Sequence, residues 1–196
     1  GTIPTELGQL SLLEYFEISF NLLTGTLPTE LGNLIGLFSF NVKDNVLTGT
    51  LPTQMGKLRY VSSVYLSENQ FVGALPTVFG QLFNLVDLAI DVNKIGGTIP
   101  TELGRRIALQ TLRMNSNSFT GALPTELGKL TALTLLDLLE NDLNQTLPTE
   151  LGQLTNLQAL QMGGNSFTGT LPTELGKLTA LTALFLWGND FNQTLP

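Results

Sequence analysis

The chain has 196 residues, a formal net charge of −7, 42% hydrophobic residues, and neither cysteine nor histidine. Those figures exclude disulfides and thiolate metal sites, and they remove the commonest general base, metal ligand and near-neutral pH switch. Acids outnumber bases 16 to 9, so there is no basic stripe for phosphate and nucleic acid is not an expected partner.

Taken from the N-terminus, one stretch returns throughout. The wording Leu-Thr-Gly-Thr-Leu-Pro-Thr-Glu-Leu-Gly at residues 23–32 recurs almost unchanged every 24 residues, and all nine prolines, from Pro4 to Pro196, keep that spacing. A fixed period of this length predicts a solenoid. No apolar run approaches the roughly 18 residues of a membrane span.

Each unit begins with a leucine-like position, at Leu13, Leu37, Val61, Leu85, Leu109, Leu133, Leu157 and Leu181. Two apolar positions two residues apart follow, Phe16 and Ile18 in the first unit. That spacing predicts a short strand with one face inward, and eight stacked units predict a parallel sheet. An asparagine column without exception comes next, from Asn21 to Asn189. It predicts a buried amide ladder satisfying the backbone where the chain leaves the sheet. The column from Leu23 to Phe191 then fills the back of the core. In Pro-Thr-Glu-Leu-Gly, Thr is expected to cap a short helical turn, Glu to suit its dipole, and Gly to end it.

The full pattern, LxxLxLxxNxLxGxxPxxLGxL, resembles the plant-type leucine-rich repeat, and its Thr-rich wording is similar to repeats of algae such as diatoms. The resemblance covers essentially the whole chain. It implies an α/β fold: a right-handed horseshoe solenoid, with a parallel sheet on the concave side and short 3-10 or helical turns on the convex side. It also implies a secreted or cell-surface module, like a receptor ectodomain, that binds proteins, peptides or sugars. Residues 1–196 read as one solenoid of about eight repeats, starting and stopping inside a unit and lacking the family's terminal caps, hence as a fragment.

Several positions depart from the pattern. Arg106 stands in a leucine column; a local bulge is expected, with Ile107 filling the gap and the arginine stem reaching outward. Gln145 and Gln193 replace a recurrent glycine and create the sequons Asn144-Gln145-Thr146 and Asn192-Gln193-Thr194. Asn144 and Asn192 are therefore candidate glycosylation sites if the chain is secreted.

Function is expected in the residues that do not recur. Side chains alternate across a strand, so those between the core columns face the concave side. The candidates for partner binding are Tyr15, Glu17, Lys43, Tyr65, Asp87, Asp91, Arg113, Asp137, Leu139, Phe185 and Trp187. With Asp44, Glu68 and Glu140 added, the face holds a formal −5 of the −7, which suits a basic or amphipathic protein or peptide. Leu135, Leu139, Phe185 and Trp187 are expected to gather at its apolar end. With no nucleophile, cofactor, metal or closed pocket indicated, an enzyme is not expected. Two other readings stand beside this one. Thr24/Thr26, Thr48/Thr50 and Thr168/Thr170 could form two flat rows that bind ice or another ordered surface, although only three of eight rungs carry the complete pair. The module could also be a structural subunit of a larger assembly.

Overall fold

The structure, a computed structural model, describes residues 1–192. The last proline of the series, Pro196, and the Gln193–Thr194 portion of the second sequon lie outside the described residues. Each rung contributes two short strands and one 3-10 turn. The first strands form an eight-stranded parallel sheet: β1 (Tyr15–Glu17), β3 (Ser39–Asn41), β5 (Ser63–Tyr65), β7 (Asp87–Ala89), β9 (Thr111–Arg113), β11 (Leu135–Asp137), β13 (Ala159–Gln161) and β15 (Ala183–Phe185). Register advances one repeat per strand, so Phe16 stands opposite Phe40 and Leu88 opposite Leu112. The middle residue of each strand is apolar and, as far as β13, buried; its flanks face outward. One face of this sheet turns inward, as its two-residue periodicity predicts, and the sheet lines the concave side, as the family resemblance implies.

The asparagines form the expected ladder and tie neighbouring rungs together. In Asn69, Oδ1 accepts from the backbone N–H of Leu47 at 3.0 Å, while Nδ2 donates to the carbonyls of Val42, Leu66 and Ser67. Asn141 and Asn165 repeat the arrangement. These four contacts engage both faces of the buried amide, its N–H donors and its carbonyl oxygen. The ladder also supports a backbone feature hidden from the sequence. The residue preceding the asparagine takes a left-handed φ near 53–55° at Phe20, Asp44, Glu68, Val92, Ser116 and Glu140. Six non-glycine residues in that region would be costly one by one, and the amide holds the carbonyls just before each of them.

The second strands pair into another eight-stranded parallel sheet: β2 (Thr24–Gly25), β4 (Val46–Gly49), β6 (Gln70–Ala74), β8 (Lys94–Gly97), β10 (Ser118–Gly121), β12 (Asp142–Gln145), β14 (Ser166–Gly169) and β16 (Asp190–Phe191). Here the register is offset, so Thr24 stands opposite Val46 rather than Thr48. Behind these strands lies the aromatic part of the core, with Phe71, Phe119 and Phe167 fully buried, and one apolar cluster runs the length of the chain. The first and last described rungs have a neighbour on one side only, which leaves Leu10 and Leu184, members of otherwise buried columns, exposed.

Eight 3-10 turns cover the convex side: η1 (Thr5–Gln9), η2 (Thr29–Asn33), η3 (Thr53–Lys57), η4 (Thr77–Gln81), η5 (Thr101–Arg105), η6 (Thr125–Lys129), η7 (Thr149–Gln153) and η8 (Thr173–Lys177). Their chemistry differs from the expectation in two respects. No threonine caps a turn; each turn starts after proline without a side-chain cap, and the Thr29 hydroxyl donates to the Glu30 carboxylate instead. The glycine lies inside the turn and not at its end. A Cβ on Gly32 would meet the backbone oxygen of Gln54 at 2.5 Å, and one on Gly152 would meet that of Glu174 at 2.6 Å. The residue is small because the backbones of successive turns touch there.

Arg106 also departs from the expectation. No bulge forms. Arg106 keeps the leucine column and is only 5% exposed, while Ile107 is 67% exposed. The guanidinium stacks 4.7 Å from the centroid of Phe83, one rung back. An exposed aromatic face thus replaces the outward path of the side chain. Nε has no hydrogen-bond partner. Burial, with the like charge of Arg105 added, lowers the pKa of the group from its ordinary value.

Candidate functional site

The outward residues of the first sheet form one continuous face, and its polar groups are linked across rungs. The Glu17 carboxylate accepts from the Ser19 hydroxyl and, at 2.8 Å, from the Asn41 amide. Asn41 Oδ1 accepts from the backbone N–H of Lys43. Lys43 Nζ pairs with Glu68 at 3.1 Å, the one ion pair among the described residues, and lies 5.7 Å over the Phe20 ring. Further along, the Ser67 hydroxyl donates to Asp91 at 2.6 Å and the Thr111 hydroxyl donates to Asp87. Ser116 donates to Glu140 at 3.1 Å. Glu68 apart, these carboxylates are therefore held by neutral donors.

Two of them depart from the ordinary carboxylate range, in opposite directions. At Asp137 burial pushes the pKa up; repulsion from Asp91 and Glu140 adds to this, against the Leu139 backbone N–H and Arg113. At Glu17 slight burial also pushes upward, but the hydrogen bonds from Ser19 and Asn41 together outweigh it and the pKa is lowered.

The centre of the face is a depression of about 310 Å³ lined by Asn41, Lys43, Tyr65, Ser67, Ala89, Asp91 and Arg113. Strand register explains it. Asn41, Tyr65, Ala89, Arg113 and Asp137 occupy one column, and the small buried Ala89 lies between two long side chains. Four of the expected binding residues, Lys43, Tyr65, Asp91 and Arg113, meet around it. Ala89 was not among them, because a gap in a column is made by what the residue lacks.

The other expected residues are spread out. Tyr15 packs near Phe38 at the first rung, with ring centroids 6.5 Å apart. Phe185 and Trp187 lie at the far end of the face. Leu139 and Trp187 are two rungs apart, and between them stands Gly163, where a Cβ would lie 2.6 Å from Trp187 Cε2. The indole covers that glycine, yet remains 56% exposed.

The threonine pairs lie in and just after strands β2, β4 and β14 of the second sheet. Thr24, Thr26, Thr50, Thr168 and Thr170 are exposed and Thr48 is half-buried. The glycine between each pair has a left-handed φ of 73–78°, so the plain alternation of a strand does not set the pair's directions. The Thr48 hydroxyl donates to the Gly25 carbonyl, and the Thr26 methyl lies where a Cβ on Gly49 would stand. Asn144 is half-buried in β12 and Asn192 exposed after β16.

A Leucine Rich Repeat family model matches residues 12–34, 108–130 and 156–178. No curated protein sequence matches the chain. Among solved structures, the chain is similar to the ectodomain of the plant membrane receptor kinase GASSHO1/SCHENGEN3 from Arabidopsis thaliana, solved in complex with CASPARIAN STRIP INTEGRITY FACTOR 2. The two share 38% identity with a TM-score of 0.99, over 100% of this chain and 24% of that one. It is also similar to the plant peptide hormone receptor RGFR1 in complex with RGF2, at 34% identity and a TM-score of 0.96, over 97% of this chain and 31% of that one. A plant ice-binding protein shares the fold at 23% identity and a TM-score of 0.82, over 100% of this chain and 71% of that one. The chain spans less than a third of the length of either receptor chain.

Proposed function

We propose that this chain, a leucine-rich-repeat solenoid of the 24-residue plant type, is a non-catalytic recognition module that binds an extended peptide or protein segment along its concave face. The reading also places it outside the cell. Its main support is the depression over Ala89, where donors and acceptors converge on a gap sized for a side chain: Lys43, Arg113, Asp91, Ser67, Asn41 and Tyr65. The rest of the face is acidic, so the favoured partner carries basic or amphipathic residues that flank the depression. The similar RGFR1 is a plant peptide hormone receptor solved in complex with RGF2, which lends the reading further support.

Filling the depression tests it. The same column already carries Asn41, Tyr65, Arg113 and Gln161, so Ala89→Gln should fold normally. Peptides selected on the wild-type chain from a display library should bind Ala89→Gln at least about tenfold more weakly. Undiminished binding by this variant and by Arg113→Ala would remove the depression from the site. The Phe185→Ala, Trp187→Ala pair asks the same question of the far end.

A second reading, ice or ordered-surface binding, draws on the exposed threonines in and just after the strands of the second sheet. Thermal hysteresis of the purified chain decides it, and an ordinary freezing curve removes it.

A further inference from the structure

The back of the arc is charged differently from its front. Along the turns, a carboxylate follows the threonine in every rung except the third and fourth, where Gln54 and Val78 stand. Beside that gap are Lys57 and Arg59. They line two adjoining depressions: one of about 510 Å³ with Thr53, Gly56, Gln81 and Phe83, and one of about 500 Å³ with Ile35 and Tyr60. Neither depression is lined by a carboxylate. Ile35, Tyr60 and Phe83 are all more than half exposed, so apolar and basic surface are interleaved.

A second observation points to a missing counter-charge. Arg106 is more than nine-tenths buried, its Nε has no partner, and its guanidinium lies over the Phe83 ring. Neither Lys57, Arg59 nor Arg106 forms an ion pair among the described residues. Buried positive charge without a partner is costly. In this chain it stacks on Phe83, which lines the first carboxylate-free depression.

We propose that this convex patch docks an acidic peptide segment carrying apolar side chains. Its carboxylates meet Lys57 and Arg59 and supply the counter-charge that Arg106 lacks; its apolar side chains settle against Phe83, Tyr60 and Ile35. The patch is too small for an extended polyanion or a lipid surface, because Glu102 and Glu126 flank the next basic residues, Arg105 and Lys129. This face is independent of the concave one.

The test uses the full chain and a fluorescein-labelled peptide of about a dozen residues that alternates Asp or Glu with Leu or Phe, followed by anisotropy at about 50 mM salt. Wild type should bind it, and a Lys/Leu peptide of equal length should not bind. Lys57→Glu with Arg59→Glu should weaken binding at least about tenfold, while Ala89→Gln on the front changes nothing. Arg106→Leu restores the column's usual residue, so it keeps the fold; it should weaken binding about threefold or more. Absent binding, or equal binding by the Lys57→Glu, Arg59→Glu variant, overturns the proposal. So does retention on phosphatidylserine vesicles that the peptide fails to displace, which would mark a membrane contact.

Discussion

At the scale of single residues, two carboxylates on the concave face respond to pH with opposite sign. Asp137 has a raised pKa, so the folded state holds its proton more tightly than the unfolded chain. Its ionised form destabilises the fold above that pKa, and the penalty disappears as pH falls through it. Asp137→Asn should therefore raise the unfolding midpoint at neutral pH and lose that advantage in acid. Glu17 has a lowered pKa, so its contribution is present above the ordinary carboxylate range and lost as pH falls through the folded value. Glu17→Gln should lower the midpoint at neutral pH and converge with wild type in strong acid. A series of thermal melts from pH 7 to the acid limit checks both. A second pair of residues is coupled across rungs. Gln145 takes a φ of 72° in a column that, Gln193 apart, is otherwise glycine, where a Cβ usually meets a threonine methyl of the rung before. Ala122 occupies that earlier position and leaves room, as Ala74 does before Gly97. Ala122→Thr should thus cost about 1–3 kcal/mol in denaturant unfolding through overpacking. Ala74→Thr, facing a glycine, should stay within about 0.5 kcal/mol. The sequence shows the glycine and its replacement but not the register offset that pairs residue 145 with residue 122.

At the scale of elements, the strands and the ladder were legible because each rests on a repeated burial pattern. Phe16 with Ile18, or Leu112 with Met114, marks a half-buried strand wherever it occurs, and an invariant asparagine has few structural roles. Removing the ladder amide in Asn69→Ala should cost about 1–3 kcal/mol for a backbone group left unpaired; the Leu47 N–H is the one exposed to the loss, since the Val42 carbonyl still accepts from Asn45. The turns were less legible. A glycine that ends a helix and one that lets two backbones touch look alike in a sequence, and so do a capping threonine and one bonded to the next side chain. The structure distinguishes the glycine roles through a contrast. Gly80→Ala would place a Cβ 2.6 Å from the Glu102 carbonyl oxygen, whereas Gly176→Ala meets nothing within 4 Å. The first should destabilise by about 1–3 kcal/mol and the second should be close to neutral, as equilibrium unfolding of each variant will show. The site was legible only in its projecting side chains. Lys43, Tyr65, Asp91 and Arg113 could be named from alternation, but Ala89, which makes the depression, and Phe83, which carries Arg106, could not.

At the scale of the whole molecule, each rung is stabilised by its neighbours, so an identical change should matter more in the middle than at either end. Leu112→Ala, buried on both sides, should cost about 2–5 kcal/mol, and Leu184→Ala, 47% exposed, much less. The measurement is chemical denaturation of the two variants side by side. The chain also separates its charge, with an acidic front and a carboxylate-free basic patch behind, so the two faces suit partners of opposite sign. The glycine contacts between successive turns have a geometric consequence for both. The sheet fixes the spacing of rungs on one side of the arc through its hydrogen bonds; the touching turn backbones fix it on the other. The ratio of those two spacings is the curvature. Adding a methyl at Gly32, Gly80, Gly104 and Gly152 together would widen the outer spacing alone and bend the horseshoe more tightly, drawing the concave columns together and narrowing the lane a bound segment must follow.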